Sequence, residues 1–335
     1  MTLNKIARLA GVSISTVSKA LSHSREVNEQ TSELIWKIAK ETGYFKQKCI
    51  RSMENKKSVL PRITILCPEM ISPYYASVVT CLHETIEKAG GIAAMQICGF
   101  ETAKEKEICE QLIVQNSTDG IICMVDGDFK IDSPIPILKL SHSSVYDSAF
   151  INWSQGIEEA VEHLKAFGHT KIGFISENLT FIKLDLFKEA MAKSGLVADE
   201  KYIYINAKRF EDVGFMAAQE MISRNGYPTA VIAAYDEVAL GFMNALSHKG
   251  VRFPEDISVI GMNDIPYSVQ IDRPLTTISG NVSELCNIAV SLLLKKMNDP
   301  KYKVIQHIEV ASNLIIRETT GKCGTATKPV LETSL

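Results

Sequence analysis

Apolar positions along the chain fall into two regimes. From Leu3 to Gly43 they recur at helical spacing in three short runs. Leu3, Ile6, Ala7, Leu9 and Ala10 mark a first helix, with Thr2 placed to cap it. Gly11 supplies the positive-φ residue of a tight turn. Ser13 then caps a second helix over Ile14 to Leu21, with Val17, Ala20 and Leu21 on its buried face. A third helix follows Asn28 as N-cap, runs through Leu34, Ile35 and Ile38, and stops at Gly43.

From Arg62 onward, compact apolar runs alternate with helical ones. ITILC (63–67), IAAMQIC (92–98), GIICMV (120–125) and PILKLS (136–141) read as strands, with helices over 76–89 and 103–115. The series restarts with a helix over 155–167 and KIGFIS (171–176). It continues through a helix over 180–194, YIYIN (202–206), a helix over 211–225, AVIAAY (230–235), a helix over 237–249 and ISVIGM (257–262). Alternation at this spacing predicts parallel sheets covered on both faces, and two series predict two doubly wound subdomains. Ligands in such folds sit at the carboxyl ends of strands, so the cleft between subdomains is the expected pocket.

Composition narrows the class. A chain of 335 residues exceeds what one core serves. No apolar run approaches the ~20 residues of a membrane span, and MTLNKIARLAGVS lacks a secretory apolar region. A cytoplasmic protein without a membrane partner is expected. The eight cysteines are scattered without a C-x-x-C pair, which predicts free thiols and no metal site. Charge is uneven: residues 1–58 carry eleven Lys/Arg and five Asp/Glu, so +6 of a net −3 lies there and −9 elsewhere. A basic head on an acidic body points to a polyanionic partner.

Ala7, Gly11 and Val17 suit a helix-turn-helix. Such a pair needs a small residue where the helices cross, a glycine at the turn and an apolar lock on the second helix. Residues 2–44, with IARLAGVSISTVSKAL, Val27, Thr31 and Gly43-Tyr44, resemble the DNA-binding head of the lactose-repressor (LacI/GalR) family. The resemblance implies that the helix opened by Ser13 enters the major groove of double-stranded DNA. Ile14, Ser15 and Lys19 then match base-reading positions, and Thr16 and Ser18 match phosphate contacts. Hydroxyls at a helix N-terminus suit phosphate, and a lysine can reach guanine. In residues 45–61 a short hinge helix is implied, with Met53 as the minor-groove lever. Here Lys46-Gln47 replace the family's usual Pro-Asn.

The resemblance continues over the body, through AFGHTKIGFI (166–175), PTAVIAAYDEVALGFMNAL (228–246), FPEDISVIGMND (253–264), PLTTI (274–278) and RETT (317–320). It implies a periplasmic-binding-protein-like core that holds a small effector, and a homodimer reading a palindromic operator. The pocket departs from the family pattern. Lys183 replaces an arginine fork, Tyr235 replaces an asparagine before the retained Asp236, and Asn263 replaces an aspartate before the retained Asp264. Arg209 stands where an aromatic is common. Tyr74, Tyr75, Trp153 and Tyr267 are candidate stacking surfaces. The expected effector is carbohydrate-like, and phosphorylated if Lys183 and Arg209 add net positive charge.

The expected organisation is thus α/β: a three-helix head over 1–45, a hinge linker over 46–60, and a two-subdomain core over 61–320. The N-subdomain takes 61–155 and 281–302, the C-subdomain 156–280 and 303–320, and 321–335 is a loosely packed tail without leucine heptads. His169 braces the turn before KIGFI. No G-x-S-x-G, G-x-x-x-x-G-K-[ST] or G-x-G-x-x-G occurs, so no catalytic residue, cofactor or metal is assigned. The competing reading is a soluble sugar-binding protein or sugar-processing enzyme with an incidental basic head.

Overall fold

The computed structural model describes residues 2–21, 26–44, 60–178, 180–224 and 227–324. The linker, with Met53, and the tail beyond 324 lie outside the described residues. By internal contacts the chain divides into two units, Met1–Ala149 with Cys286–Ile308, and Phe150–Leu285 with Glu309–Leu335.

The head is three helices, α1 (Leu3–Ala10), α2 (Ile14–Leu21) and α3 (Glu29–Glu41). Gly11 ends α1 in the left-handed region at φ 66°, and its N–H closes on the Ala7 carbonyl. Thr2 occupies the cap position of α1 but makes no side-chain cap bond. Ser13 does cap α2: its Oγ accepts the Thr16 N–H at 3.0 Å. Asn28 caps α3 through Oδ1 and the Thr31 N–H at 2.8 Å. Ile6, Ala7, Val17, Ala20, Ile35 and Ala39 form the buried centre. Leu34, on the expected apolar face, is instead 45% exposed. Trp36 pins α3 to α2 by donating Nε1–H to the Ala20 carbonyl at 3.0 Å.

The first unit continues with β1 (Arg62–Cys67), α4 (Pro73–Lys88), β2 (Ile92–Ile97), α5 (Thr102–Gln115), β3 (Gly120–Cys123), β4 (Ile137–Lys139) and the start of β5 (Asp147–Asn152). Its sheet runs β11-β5-β4-β3-β1-β2, where β11 is His307–Ala311, and the links from β2 through β5 are parallel. Ser72 caps α4 with Pro73 at its first position. The central strands β1, β3 and β4 are apolar and buried, as a sheet covered on both faces requires. Lys139 interrupts this pattern. Both it and Glu105 are fully buried, paired at 2.6 Å, and both bond to the Val125 backbone. The edge strand β2 is different: Ile92, Met95 and Ile97 are 46%, 46% and 55% exposed.

The second unit contains α6 (Ser154–Ala166), β6 (Ile172–Glu177), α7 (Phe181–Lys193), β7 (Ile203–Asn206), α8 (Glu211–Ser223), β8 (Ala230–Ala233), α9 (Asp236–Ser247), β9 (Ser258–Met262) and β10 (Thr276–Ser279). α10 (Val282–Asn298) leads back to the first unit, and β12 (Asn313–Ile315) closes the second sheet, ordered β12-β10-β9-β8-β6-β7. Only β12 among its determined pairings is antiparallel. α8 and α9 cross at glycines: a Cβ on Gly214 would lie 2.1 Å from the Val238 carbonyl oxygen, and one on Gly241 2.2 Å from that of Glu211. His169 braces three segments. Nδ1 lies 2.9 Å from the Thr229 hydroxyl, and Nε2 3.0 Å from the Gly321 carbonyl and 3.1 Å from Ser258 Oγ.

Candidate nucleic-acid interface and effector site

In the head, burial sorts the side chains of α2. Val17 and Ala20 are fully buried, while Ile14, Ser15, Ser18 and Lys19 are exposed and Thr16 is half-buried. Four of the five α2 residues named from sequence for DNA are thus exposed: Ile14 and Ser15 lie in the first turn, where the backbone dipole favours phosphate, and Lys19 lies in the last. The Thr16 hydroxyl also lies 2.8 Å from Ser13 Oγ, so it helps to close the cap. Lys19 is engaged as well: its ammonium bonds Glu26. That contact holds the Glu26 carboxyl below the usual carboxylate range.

In the second unit the candidate effector residues gather at the carboxyl ends of β6, β7, β8 and β9. Lys183, in the first turn of α7, is buried. Its Nζ donates to the Ala234 carbonyl at 2.8 Å and lies 4.4 Å from the Trp153 ring centroid and 4.5 Å from that of Tyr235. Burial pushes this amine down to about 7, against the opposing pull of Glu237, Asp236 and Glu177. Arg209 Nε lies 3.5 Å from the buried Glu177 carboxylate, and its guanidinium stacks 4.4 Å from the Phe210 ring. Phe210 holds φ at 56°, a left-handed conformation rare for an aromatic residue.

The remaining expected ligands take different places. Asp236 is fully buried, and both oxygens are engaged: Oδ1 accepts the Thr277 hydroxyl at 2.5 Å and Oδ2 the Ile265 N–H at 2.8 Å. It therefore ties the β9 exit to β10, and burial pushes its carboxyl up to about 8. Asn263 is buried at φ 102° with its N–H on the Ile278 carbonyl. Asp264 pairs with Arg317 at 2.5 Å. Tyr267 is 59% exposed. Tyr74 and Tyr75 belong to the first unit, stacked edge-on at 5.4 Å, with Phe100 6.1 Å beyond Tyr75. Burial pushes both phenols upward.

Residues 2–47 match the profile of bacterial regulatory proteins of the lacI family, and residues 161–320 match that of the periplasmic binding protein-like domain. The chain belongs to the lacI family of transcriptional regulators. It is 27% identical over 327 residues to the HTH-type transcriptional repressor CytR of Escherichia coli (strain K12), covering 94% of this chain and 93% of that one. The HTH-type transcriptional repressor PurR of Actinobacillus pleuropneumoniae serotype 3 (strain JL03) is 28% identical over 335 residues, covering 95% and 98%. In fold the chain is similar to the lac repressor dimer bound to operator and the anti-inducer ONPF, with TM-score 0.69, 23% identity, and coverage of 96% and 99%. It is also similar to the CelR–cellobiose complex, with TM-score 0.66, 22% identity, and coverage of 95% and 99%.

Family membership makes the chain a DNA-binding regulator with a ligand-binding core. Sequence reasoning missed Glu26, Glu177 and Glu237. Glu26 stands beyond the helix pattern, where nothing in spacing links it to Lys19. Glu177 is the last residue of a strand, and a polar residue at a strand's carboxyl end in this fold was a usable signal. Glu237 follows the retained Asp236 within the quoted YDEVALG run. The expectation of a phosphorylated effector rested on unmatched charge at Lys183 and Arg209. Glu177 pairs with Arg209 and Glu237 faces Lys183, which removes that basis.

Proposed function

We propose that this protein is a cytoplasmic repressor that binds a palindromic DNA operator as a homodimer and changes its affinity when a small, hydroxyl-rich effector occupies the core. The observation that carries the reading is α2. Its buried face locks it to α1 and α3, while Ile14, Ser15, Ser18 and Lys19 project from the other side. A helix so presented fits a major groove, and its hydroxyls and single cation suit phosphate and guanine. The named relatives are repressors, and two similar solved proteins hold an anti-inducer or cellobiose, which supports an effector in the core.

Dimerisation is supported by β2, an apolar edge strand with Ile92, Met95 and Ile97 in the open. Such an edge needs a cover. Lys183 and the buried carboxylates around it form the effector-facing part of the second unit, with Asp236 and Asn263 supporting it. This reading assigns no enzymatic step. Among the described residues, no helix is long and apolar enough to cross a membrane.

Selection of binding sites from random duplexes tests the proposal. It requires a two-fold symmetric site of roughly 14–20 base pairs and affinity that falls steeply with salt. Recovery of asymmetric or random sequences would exclude a dimeric operator reader.

A further inference from the structure

One buried acid of the second unit has no partner. Glu237, in the first turn of α9, is 2% exposed, and neither carboxylate oxygen has a hydrogen-bond partner among the described residues. A buried carboxyl is costly in this condition in either protonation state, because the acid form also needs an acceptor. The charged groups that face it are the exposed Glu211 from α8, Lys183 from α7 and Glu177 from the end of β6.

None of these side chains supplies a donor, and the one N–H near the carboxyl is Glu237's own, in the first turn of α9, which leaves both oxygens short of a full hydrogen bond. Lys183 acts on Glu237 only through space: its Nζ donates to the Ala234 carbonyl and lies between the Trp153 and Tyr235 rings. Arg209 is set against Glu177. With that pair matched, Glu211 and Glu237 outweigh Lys183, so the corner is short of both donors and positive charge.

We infer that the effector carries an amino group, which donates to Glu237 at this corner. A hydroxyl would bring an acceptor with its donor and no charge. An amine brings several donors and, when protonated, the missing cation. This rests on the reading of the core as an effector site and narrows its ligand. Both an amino sugar and the exocyclic amine of a nucleobase offer N–H donors without a competing acceptor, and the amino sugar alone adds the positive charge.

The test uses the full-length protein in thermal-shift and calorimetric titrations with matched pairs. These are glucosamine against glucose, galactosamine against galactose, cytidine against uridine, and adenosine against inosine. In at least one pair the amino member is expected to bind about tenfold tighter or more, and Glu237→Gln to erase that preference. The pair that responds identifies the source as sugar or nucleobase. Equal binding within every pair, or no response to any amino member at low millimolar concentration, overturns the inference. The wild-type comparison decides this even if Glu237→Gln folds poorly. Operator selection is run on the same preparation. Selection of a palindrome with failure of the amine test removes this inference alone, and failure to select any operator removes the reading beneath it.

Discussion

Lys19, the cation of the exposed face of α2, is bonded to Glu26. The pair is open to solvent, with side chains 48% and 67% exposed, so it is weak in itself. Its effect on DNA binding is larger than its effect on stability. On the proposed reading, Lys19 leaves Glu26 to reach the duplex, which would leave the Glu26 carboxylate as a negative charge near phosphates. Glu26→Gln is expected to raise affinity for duplex DNA by about 2–10-fold at low salt, with less gain at high salt. Gel-shift titration at two ionic strengths reads this. An unchanged affinity would mean that Glu26 stays clear of the duplex.

Lys19→Ala separates the two jobs a lysine can do. If Lys19 reads a base edge, its loss costs on the order of 1–3 kcal/mol and relaxes preference at one half-site position. A loss spread evenly over all sequences, with a shallower salt slope, would make it a phosphate contact.

The head and the body were legible to different depths. Ala7, Gly11, Ser13 and Val17 declare the helix-turn-helix because each meets a local requirement: a close crossing, a left-handed turn, a cap and a lock. The alternation of strands and helices is equally local, since each run carries its own period. β5, β10, β11 and β12 were not foreseen. They are short or half-buried, and partners such as Leu314, which makes β10 and β12 a pair through Ile278, are remote in sequence. The effector site was legible as a set of positions and not as a charge balance. Lys183 and Arg209 read as free cations until the fold set Glu177 and Glu237 beside them. Asp236 likewise read as a ligand until Thr277 and Ile265 met its two oxygens.

The pH dependence of stability should carry the mark of Lys183. Its amine falls to about 7 in the fold because burial disfavours the ammonium. Between about 7 and its ordinary value the unfolded chain holds a proton that the folded chain lacks, so raising pH favours folding. Lys183→Met has no such group. The stability of the wild type relative to this variant should therefore rise from pH 7 to pH 10. Urea melts at several pH values would show the trend, and parallel profiles for the two proteins would place a protonated amine in the fold.

His169 gives the matching prediction on the acid side. Burial lowers its pKa, and its bonds to Thr229, Ser258 and Gly321 suit a neutral ring. Its stabilising contribution is complete above the ordinary histidine range. It is lost as pH falls, because the unfolded chain takes up a proton first. His163 is lowered too, by burial and by His169. The melting temperature should drop between pH 7 and pH 5, and His169→Gln should flatten that drop. A wild-type profile as flat as the variant's would refute the assignment.

The α8–α9 crossing offers a test of packing free of charge. Gly241 has no room for a methyl group, because its Cβ would meet Glu211 backbone atoms at 2.2–2.7 Å. Backbone cannot swing aside as a flexible side chain can. Gly241→Ala is expected to destabilise by about 1–3 kcal/mol or more through overpacking. Gly250→Ala makes a useful contrast, since its Cβ meets nothing within 4 Å and the cost comes from φ +80° alone. Denaturation midpoints for both variants separate steric crowding from backbone strain, and a Gly241→Ala protein as stable as the parent would contradict the crossing described.

The edge strand β2 makes the dimer testable in one position. Ile97 is 55% exposed at the end of a strand whose partner on one side is β1, with its other edge open among the described residues. A second copy laid over this strand would bury Ile97, and a lysine there would then lose its hydration or push the copies apart. Ile97→Lys should weaken self-association by about 2 kcal/mol, roughly thirtyfold, while the circular dichroism spectrum stays unchanged. Operator affinity should fall with it, since two heads tied together bind two half-sites with an effective concentration that separate heads lack. Mass photometry across a dilution series, read beside gel shifts on a palindrome and on a single half-site, gives both quantities. A variant that stays dimeric at nanomolar concentration would move the interface to another face. A variant that becomes monomeric yet binds the palindrome as before would break the link between dimerisation and operator reading.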